Sequence, residues 1–291
     1  MPLFVDCGNM VKGGYYMEPF IYQQHELPFF VLKCWQERFP HLEVGISAKI
    51  PEKDWKMSNY AFHVGDDAAR VRQNRQALTK QLQIPFAGWT CAEQVHGTHI
   101  HLVKAVDRGK GSEDQQSAIP ETDGLLTFET DLYLTSFYAD CVPLYFYSPD
   151  QDLIGVAHAG WKGTVNGMAR KMVERMVQLG AKREKIHVAI GPSIGICCYE
   201  VDQTVMGPLM RELKPASVSK NVYEIVDQPN QYRVDLKQAN AEILLQAGIP
   251  AQQIVQSKLC TSCQTDYFHS HRRDQGDTGR MVAWIGKRGG A

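Results

Sequence analysis

The stretch LYLTSFYADCVPLYFYSPDQDLIGVAHAGWKGTV (132–165) decides how the fold is read. Three apolar runs rich in β-branched and aromatic residues, Tyr133–Tyr138, Leu144–Tyr147 and Leu153–His158, follow one another across short turns and read as strands. No helical spacing separates them. After His158 the period changes: Val165, Met168, Ala169, Met172, Val173, Met176 and Val177 recur at helical intervals, with Thr164 before them and Gly180 as a left-handed stop. Outside the stretch, strands read at Val44–Ala48, Gly124–Thr127, Ile186–Ile190, Val222–Ile225 and Met281–Ile285. Asp235 caps a second helix, with Gln238 at the capping-box position, Leu236, Ala239, Ile243 and Leu244 as its stripe, and Gly248 as its end. Asp66 or Asp67 starts a third, carrying Val71, Leu78 and Leu82. Strands outnumber helices and often succeed one another directly, which predicts α+β layers rather than an alternating doubly wound sheet.

The chain has 291 residues, 44% hydrophobic and 22% charged, with 31 basic against 32 acidic side chains. It shows neither an internal repeat nor a Pro/Gly/Ser-rich linker, so a single domain over 1–291 is expected. Its one excursion, Asp107 to Thr122, reads as a surface loop. A near-neutral balance lacks the basic stripe that neutralises a phosphate backbone, so nucleic acid is not an expected partner. The most apolar region, Leu132 to Tyr147, is interrupted by Asp140 and Pro143, and no membrane span is predicted. The start, MPLFVDCGNM, has no secretory pattern, and the expected compartment is the cytoplasm. The eight cysteines, at 7, 34, 91, 141, 197, 198, 260 and 263, then read as thiols rather than a disulfide scaffold.

Polar residues at the ends of apolar strands are where a fold holds side chains rigidly at a rim. Cys141 and His158 occupy such positions, and His96, in Glu93-Gln-Val-His-Gly-Thr98, is a third candidate. One thiolate and two imidazoles suit zinc and leave a fourth position open, the catalytic arrangement. A buried cysteine packed as a small hydrophobe and a hydrogen-bonded histidine are the alternative. His158-Ala-Gly-Trp-Lys-Gly-Thr164 leads into a helix, so the amides at Gly163 and Thr164, with Lys162, offer an anion site or simply a glycine turn. Arg75 interrupts an apolar helical stripe, where an unpaired guanidinium is costly, and is expected to meet an anion or an acidic side chain. Cys260, Cys263, His269 and His271 form a competing pattern for a closed zinc site, while Cys197 and Cys198 read as a packed turn.

Taken together, the segments HVGDD (63–67), NR (74–75), EQVHG (93–97), DGL (123–125), ADCVP (139–143), GVAHAGWKGT (155–164), AIGPSIGICCYEV (189–201), DLKQAN (235–240), CTSC (260–263), SHRRD (270–274) and TGRM (278–281) resemble the multicopper polyphenol oxidase (laccase-domain) family, whose members are now viewed as purine nucleoside phosphorylases. The resemblance implies an α+β sandwich with mixed sheets inside and helices outside. It places His96, Cys141 and His158 on the family's metal-ligand motifs and implies a zinc enzyme that phosphorolyses adenosine, inosine and methylthioadenosine and deaminates adenosine. On that reading Arg75 and Lys162, with the amides of Gly163 and Thr164, hold phosphate, Arg272, Arg273 and Arg280 being weaker candidates. Asp140 moves protons, provided the strand ends or bulges before it. The older family name implies copper and phenol oxidation, for which ten histidines supply too few clustered ligands. A cysteine hydrolase built on Cys141 and His158 is the other alternative. Lys162 stands where the family usually has Arg, His269 where it usually has a second Phe, and the His-Gly-Gly turn expected after Lys49 is absent.

Overall fold

The computed structural model describes residues 11, 12, 15–213 and 221–289, so Cys7 lies outside the described residues. Twelve strands build two six-stranded mixed sheets: β1 (Phe20–Gln23), β2 (Phe29–Leu32), β3 (Leu42–Ser47), β4 (Trp89–Cys91), β5 (Ile100–Leu102), β6 (Gly124–Thr127), β7 (Tyr133–Tyr138), β8 (Val142–Ser148), β9 (Leu153–Ala159), β10 (His187–Ile190), β11 (Ile254–Gln256) and β12 (Met281–Lys287). One sheet runs β1-β2-β3-β12-β7-β4 and the other β11-β10-β8-β9-β6-β5. A further three-stranded sheet joins Glu200–Asp202, Gln231–Val234 and Tyr223–Ile225.

The two large sheets stack, and helices cover both outer faces. Alternation along β8 shows the layering: Leu144 and Phe146 pack with the helices, whereas Tyr145 and Tyr147 point between the sheets. The first sheet is covered outside by α2 (Ala68–Leu82), whose Leu78 packs with Phe137 and Trp284. The second is covered by α4 (Met168–Gln178), α5 (Gln203–Leu213) and α6 (Leu236–Gln246). The remaining helices are α1 (Lys33–Arg38) and α3 (Trp161–Val165). Burial on both faces explains why β7, β8, β9 and β12 are buried at every position and read as continuous apolar runs. At Gly155 a Cβ would stand 2.5 Å from Leu126 and 3.0 Å from Met172, so glycine is what lets α4 lie against the sheet.

Several expectations change in detail. The helix expected to begin after Thr164 is two helices, since Gly167 turns left-handed at φ 73° between α3 and α4, and Gly163 and Thr164 therefore lie inside α3. The Asp107–Thr122 segment is no mere surface loop, because Gly111, Ser112, Ala118 and Ile119 are buried. Although β7 and β8 adjoin in sequence, they belong to different sheets, and the turn at Ala139–Cys141 carries the chain across. Asp67 caps α2 by accepting the amide of Ala69, and Asp235 caps α6 by accepting that of Gln238. Among the described residues, no helix is long and apolar enough to cross a membrane.

Candidate functional site

The crossover turn carries Cys141, and β9 carries His158 on the same parity as Ile154 and Val156, which face the space between the sheets. The third residue, His96, stands on the loop after β4 with a left-handed backbone at φ 61°. The ligand atoms of His96, Cys141 and His158 all lie within 4.8 Å of one another. The two imidazoles meet edge to face, centroids 4.8 Å apart.

Asp123, at the entry to β6, organises this group. Its Oδ1 lies 2.8 Å from Nδ1 of His158 and accepts the amide of His96 at 3.1 Å. Its Oδ2 accepts the amides of Val95 and Gly97 at 3.1 and 2.7 Å. Gln94 docks the same loop onto β7, donating to the Phe137 carbonyl and accepting the Phe137 amide. The unusual backbone at His96 is thus held by four hydrogen bonds from its neighbours.

The charges agree with this arrangement. Burial alone would push the Cys141 thiol up, but His158 and His96 beside it outweigh burial and bring it to about 6. Burial likewise opposes charge on His158, and Cys141 and Asp123 overcome it, raising the imidazole to about 9. Asp123 is held below the ordinary carboxylate range against its burial by His158 and the loop amides. Because Nδ1 of His158 faces Asp123, Nε2 is left for a ligand's role. At Gly160 a Cβ would stand 2.8 Å from the Cys141 sulfur and 3.4 Å from Cδ2 of His96, so only glycine leaves the donors room. Two imidazole nitrogens and a sulfur, one nitrogen oriented by a carboxylate, are a donor set that fits zinc.

The other expected residues have different surroundings. Arg75 is fully buried, donating from Nε to the Tyr60 carbonyl and from Nη1 to the Gly111 and Ser112 carbonyls, with its guanidinium over the rings of Phe62 and Phe137. It binds backbone oxygens and aromatic faces in place of the expected anion, and its enclosure leaves no contact with a dissolved phosphate. The Thr164 amide is committed to the Gly160 carbonyl, and its hydroxyl accepts from Asn240 inside the core. Lys162 is exposed, its Nζ 5.7 Å from the Trp161 ring.

Asp140 stands in a left-handed turn at φ 85°, past the end of β7. Its carboxylate accepts from Thr261 Oγ1 at 2.6 Å, Ser270 Oγ at 3.0 Å and the Arg272 amide at 2.7 Å, so both oxygens anchor loops. Arg273 is occupied by Asp274 and the carbonyls of Thr261 and Phe268, and Arg280 donates from Nη1 to the carbonyls of Thr278 and Gly279 while Cys141 and Asp140 act on its charge. The pairing of Cys260 and Cys263 with His269 and His271 does not form. His269 is bound by Ser58 and Thr278, and the two cysteines face Cys197 and Cys198.

Sequence reasoning gave no role to Asp123 or His63, although both lie in quoted motifs. An aspartate opening a fully apolar strand was the available signal for Asp123. The His63 imidazole is lowered to about 4, chiefly by desolvation, with the charges of Arg280, His158, Arg75 and His96 adding to it, so it lies within electrostatic reach of the same site.

A family model described as multi-copper polyphenol oxidoreductase laccase matches residues 43–288. Over 278 residues the chain is 43% identical to the purine nucleoside phosphorylase YlmD of Geobacillus stearothermophilus, covering 93% of this chain and 98% of that one. It is 33% identical over 229 residues to adenosine deaminase RL5 of an unknown prokaryotic organism, covering 78% of this chain and 86% of the other. The crystal structure of YlmD from Geobacillus stearothermophilus aligns with a TM-score of 0.86 at 42% identity, covering 93% of this chain and all of that one (100%).

Proposed function

The chain belongs to the multi-copper polyphenol oxidoreductase laccase family, and from that membership we propose that it is a zinc-dependent purine nucleoside phosphorylase acting on adenosine, inosine and methylthioadenosine. The observation that carries the reading is the His96, Cys141 and His158 donor set held by Asp123, in a chain 43% identical to a protein named for this activity. These three side chains would hold the ion, which when bound would supply Lewis acidity toward the purine or the reacting oxygen. In phosphorolysis a phosphate oxygen bonds to C1′ of the ribose as the C1′–N9 bond breaks, and the electron pair leaves with the purine, which takes up a proton. The chain's part is to hold phosphate and nucleoside in line and to exclude water.

For phosphate we assign Lys162 and Arg280, with the first-turn amide of Gly163. Arg75 and Asp140 become supports: Arg75 ties the 111–112 segment to α2, and Asp140 ties the C-terminal loops to the crossover turn. Deamination of adenosine is a second reaction of the same pocket, favoured by the likeness to adenosine deaminase RL5. Copper-dependent phenol oxidation is disfavoured by the ligand inventory. Among the described residues the clusters able to hold a metal are this trio and a group of four cysteines, which do not make a multicopper centre. We place the enzyme in the cytoplasm, a reducing compartment that keeps the thiols of Cys141, Cys197, Cys198, Cys260 and Cys263 available as ligands.

The test is chromatography of adenosine incubated with zinc-loaded protein, with and without phosphate. Adenine and ribose 1-phosphate that form only with phosphate are expected. Inosine alone, independent of phosphate, would leave a deaminase, and metal-independent hydrolysis abolished by Cys141→Ser would favour the cysteine hydrolase.

A further inference from the structure

The sulfurs of Cys197, Cys198, Cys260 and Cys263 all lie within 4.8 Å of one another, and that of Cys263 stands 3.4 Å from each of Cys197 and Cys198. They come from two turns remote in sequence. One is closed by the amides of Cys198 and Tyr199 onto the Gly195 carbonyl, the other by the Gln264 amide onto the Cys260 carbonyl. A parallel bridge between Ser193 and Cys260 sets the turns side by side, and the Thr261 amide donates to the Ser193 carbonyl at 3.1 Å.

Packing does not account for this grouping, since Cys197 and Cys263 are exposed. Metal geometry does. Around a tetrahedral ion with Zn–S bonds of about 2.3 Å, neighbouring sulfurs stand about 3.8 Å apart, within the span observed. The Gly195 amide donates to the Cys260 sulfur at 3.2 Å, and the amides of Ser262 and Cys263 face the same atom. Donors aimed at a sulfur stabilise and orient a thiolate ligand. A Cβ at Gly195 would stand 3.2 Å from the Cys260 Cβ and 3.3 Å from the Cys197 sulfur, so the turn is shaped to let the two pairs approach.

We propose that Cys197, Cys198, Cys260 and Cys263 bind a second metal ion, of the zinc class, as a closed tetrathiolate site separate from the His96, Cys141 and His158 centre. Four protein ligands leave no open position, so its role is structural, and the four thiol protons pass to solvent as the ion binds. The turns it joins supply the Ile194 amide to the Asp140 carbonyl at 3.0 Å and the Thr261 hydroxyl to the Asp140 carboxylate. The ion thereby braces the crossover turn that carries Cys141.

The test is elemental analysis of the full chain, loaded with zinc under a reducing agent and then desalted. Two equivalents per chain are expected, falling to one in Cys263→Ser and in Cys197→Ser, with one also retained in Cys141→Ser. Cobalt substitution identifies which ion remains: the thiolate-to-cobalt band should keep the intensity of several thiolates in Cys141→Ser and fall to that of the single Cys141 thiolate in Cys263→Ser. If the serine variants misfold, the native protein still decides, because these four thiols should resist a thiol reagent until a chelator releases the ion. A single equivalent that Cys141→Ser abolishes and Cys263→Ser leaves unchanged would overturn the proposal. So would free reactivity of all four thiols in the zinc-loaded protein, or a disulfide among them in reduced preparations, seen as a mass lower by two hydrogens.

Discussion

Oδ1 of Asp123 lies 2.8 Å from Nδ1 of His158, on the ring edge opposite the nitrogen that faces Cys141 and His96. The same carboxylate takes three successive amides from the loop that carries His96. Two of the three expected metal ligands are therefore positioned by one side chain outside the donor set.

Asp123→Asn should weaken zinc binding at this centre by about 10- to 100-fold, the usual cost of losing such a support. An amide supplies one acceptor where two oxygens now serve four donors, so either the ring or the loop is released. Competition with a chromophoric chelator measures the change. An unaltered affinity would mean that packing against the rings of Tyr138 and His96, centroids 5.5 and 4.8 Å away, orients the imidazole without the carboxylate.

Arg75→Met should destabilise the fold by about 3 kcal/mol or more, because three buried carbonyl acceptors lose their donor and the guanidinium leaves the faces of Phe62 and Phe137. Denaturant unfolding gives the size of the loss. In the fraction that stays folded, the KM for phosphate should be nearly unchanged. A selective rise in that KM with native stability would return Arg75 to the phosphate site.

Lys162→Ala and Arg280→Ala should each raise the KM for phosphate about tenfold, equivalent to about 1.4 kcal/mol, with a smaller effect on nucleoside. Lys162→Arg should lower the phosphate KM, since a guanidinium binds phosphate through two parallel hydrogen bonds. Equal effects on both substrates would remove the two residues from the phosphate role.

Much of this molecule is legible where burial is two-sided. The strands β6, β7, β8, β9 and β12 announce themselves because every position is buried. The edge strands β1, β5 and β11 go unread because each is short and only partly buried. Helix α5 hides behind Gly207 and Pro208, which break the local preference while tertiary packing of Val205, Met206, Leu209 and Leu213 maintains it. The candidate ligands His96, Cys141 and His158 stand out by residue type and place along the strands. Which groups surround Arg75, Asp140 and Cys260 depends on partners far off in sequence, 36 positions from Arg75 to Gly111, 121 from Asp140 to Thr261 and 65 from Cys260 to Gly195, which no local pattern encodes.

Acid stability should depend on His269, buried between Ser58 and Thr278. Burial is the chief cause that brings its imidazole down from 6.5 to about 4; the hydrogen bond at Ser58 opposes that and Lys49 adds to it. The folded state thus refuses a proton that the unfolded chain accepts below about 6.5. Stability from this source is whole above that pH, declines as pH falls through the window, and is fully lost below about 4. For one such histidine the loss between pH 7 and pH 5 is about 2 kcal/mol. His269→Phe removes the titration, and Ser58 Oγ keeps the Ile50 amide as a partner at 3.3 Å. Denaturant unfolding of both proteins at pH 7 and pH 5 should show the variant losing about 2 kcal/mol less than the parent over that interval. The comparison rests on the difference in slope, so a uniform offset from altered packing does not affect it. Identical losses in parent and variant would show that His269 takes up its proton in the folded state, with Ser58 and Thr278 accommodating the charge.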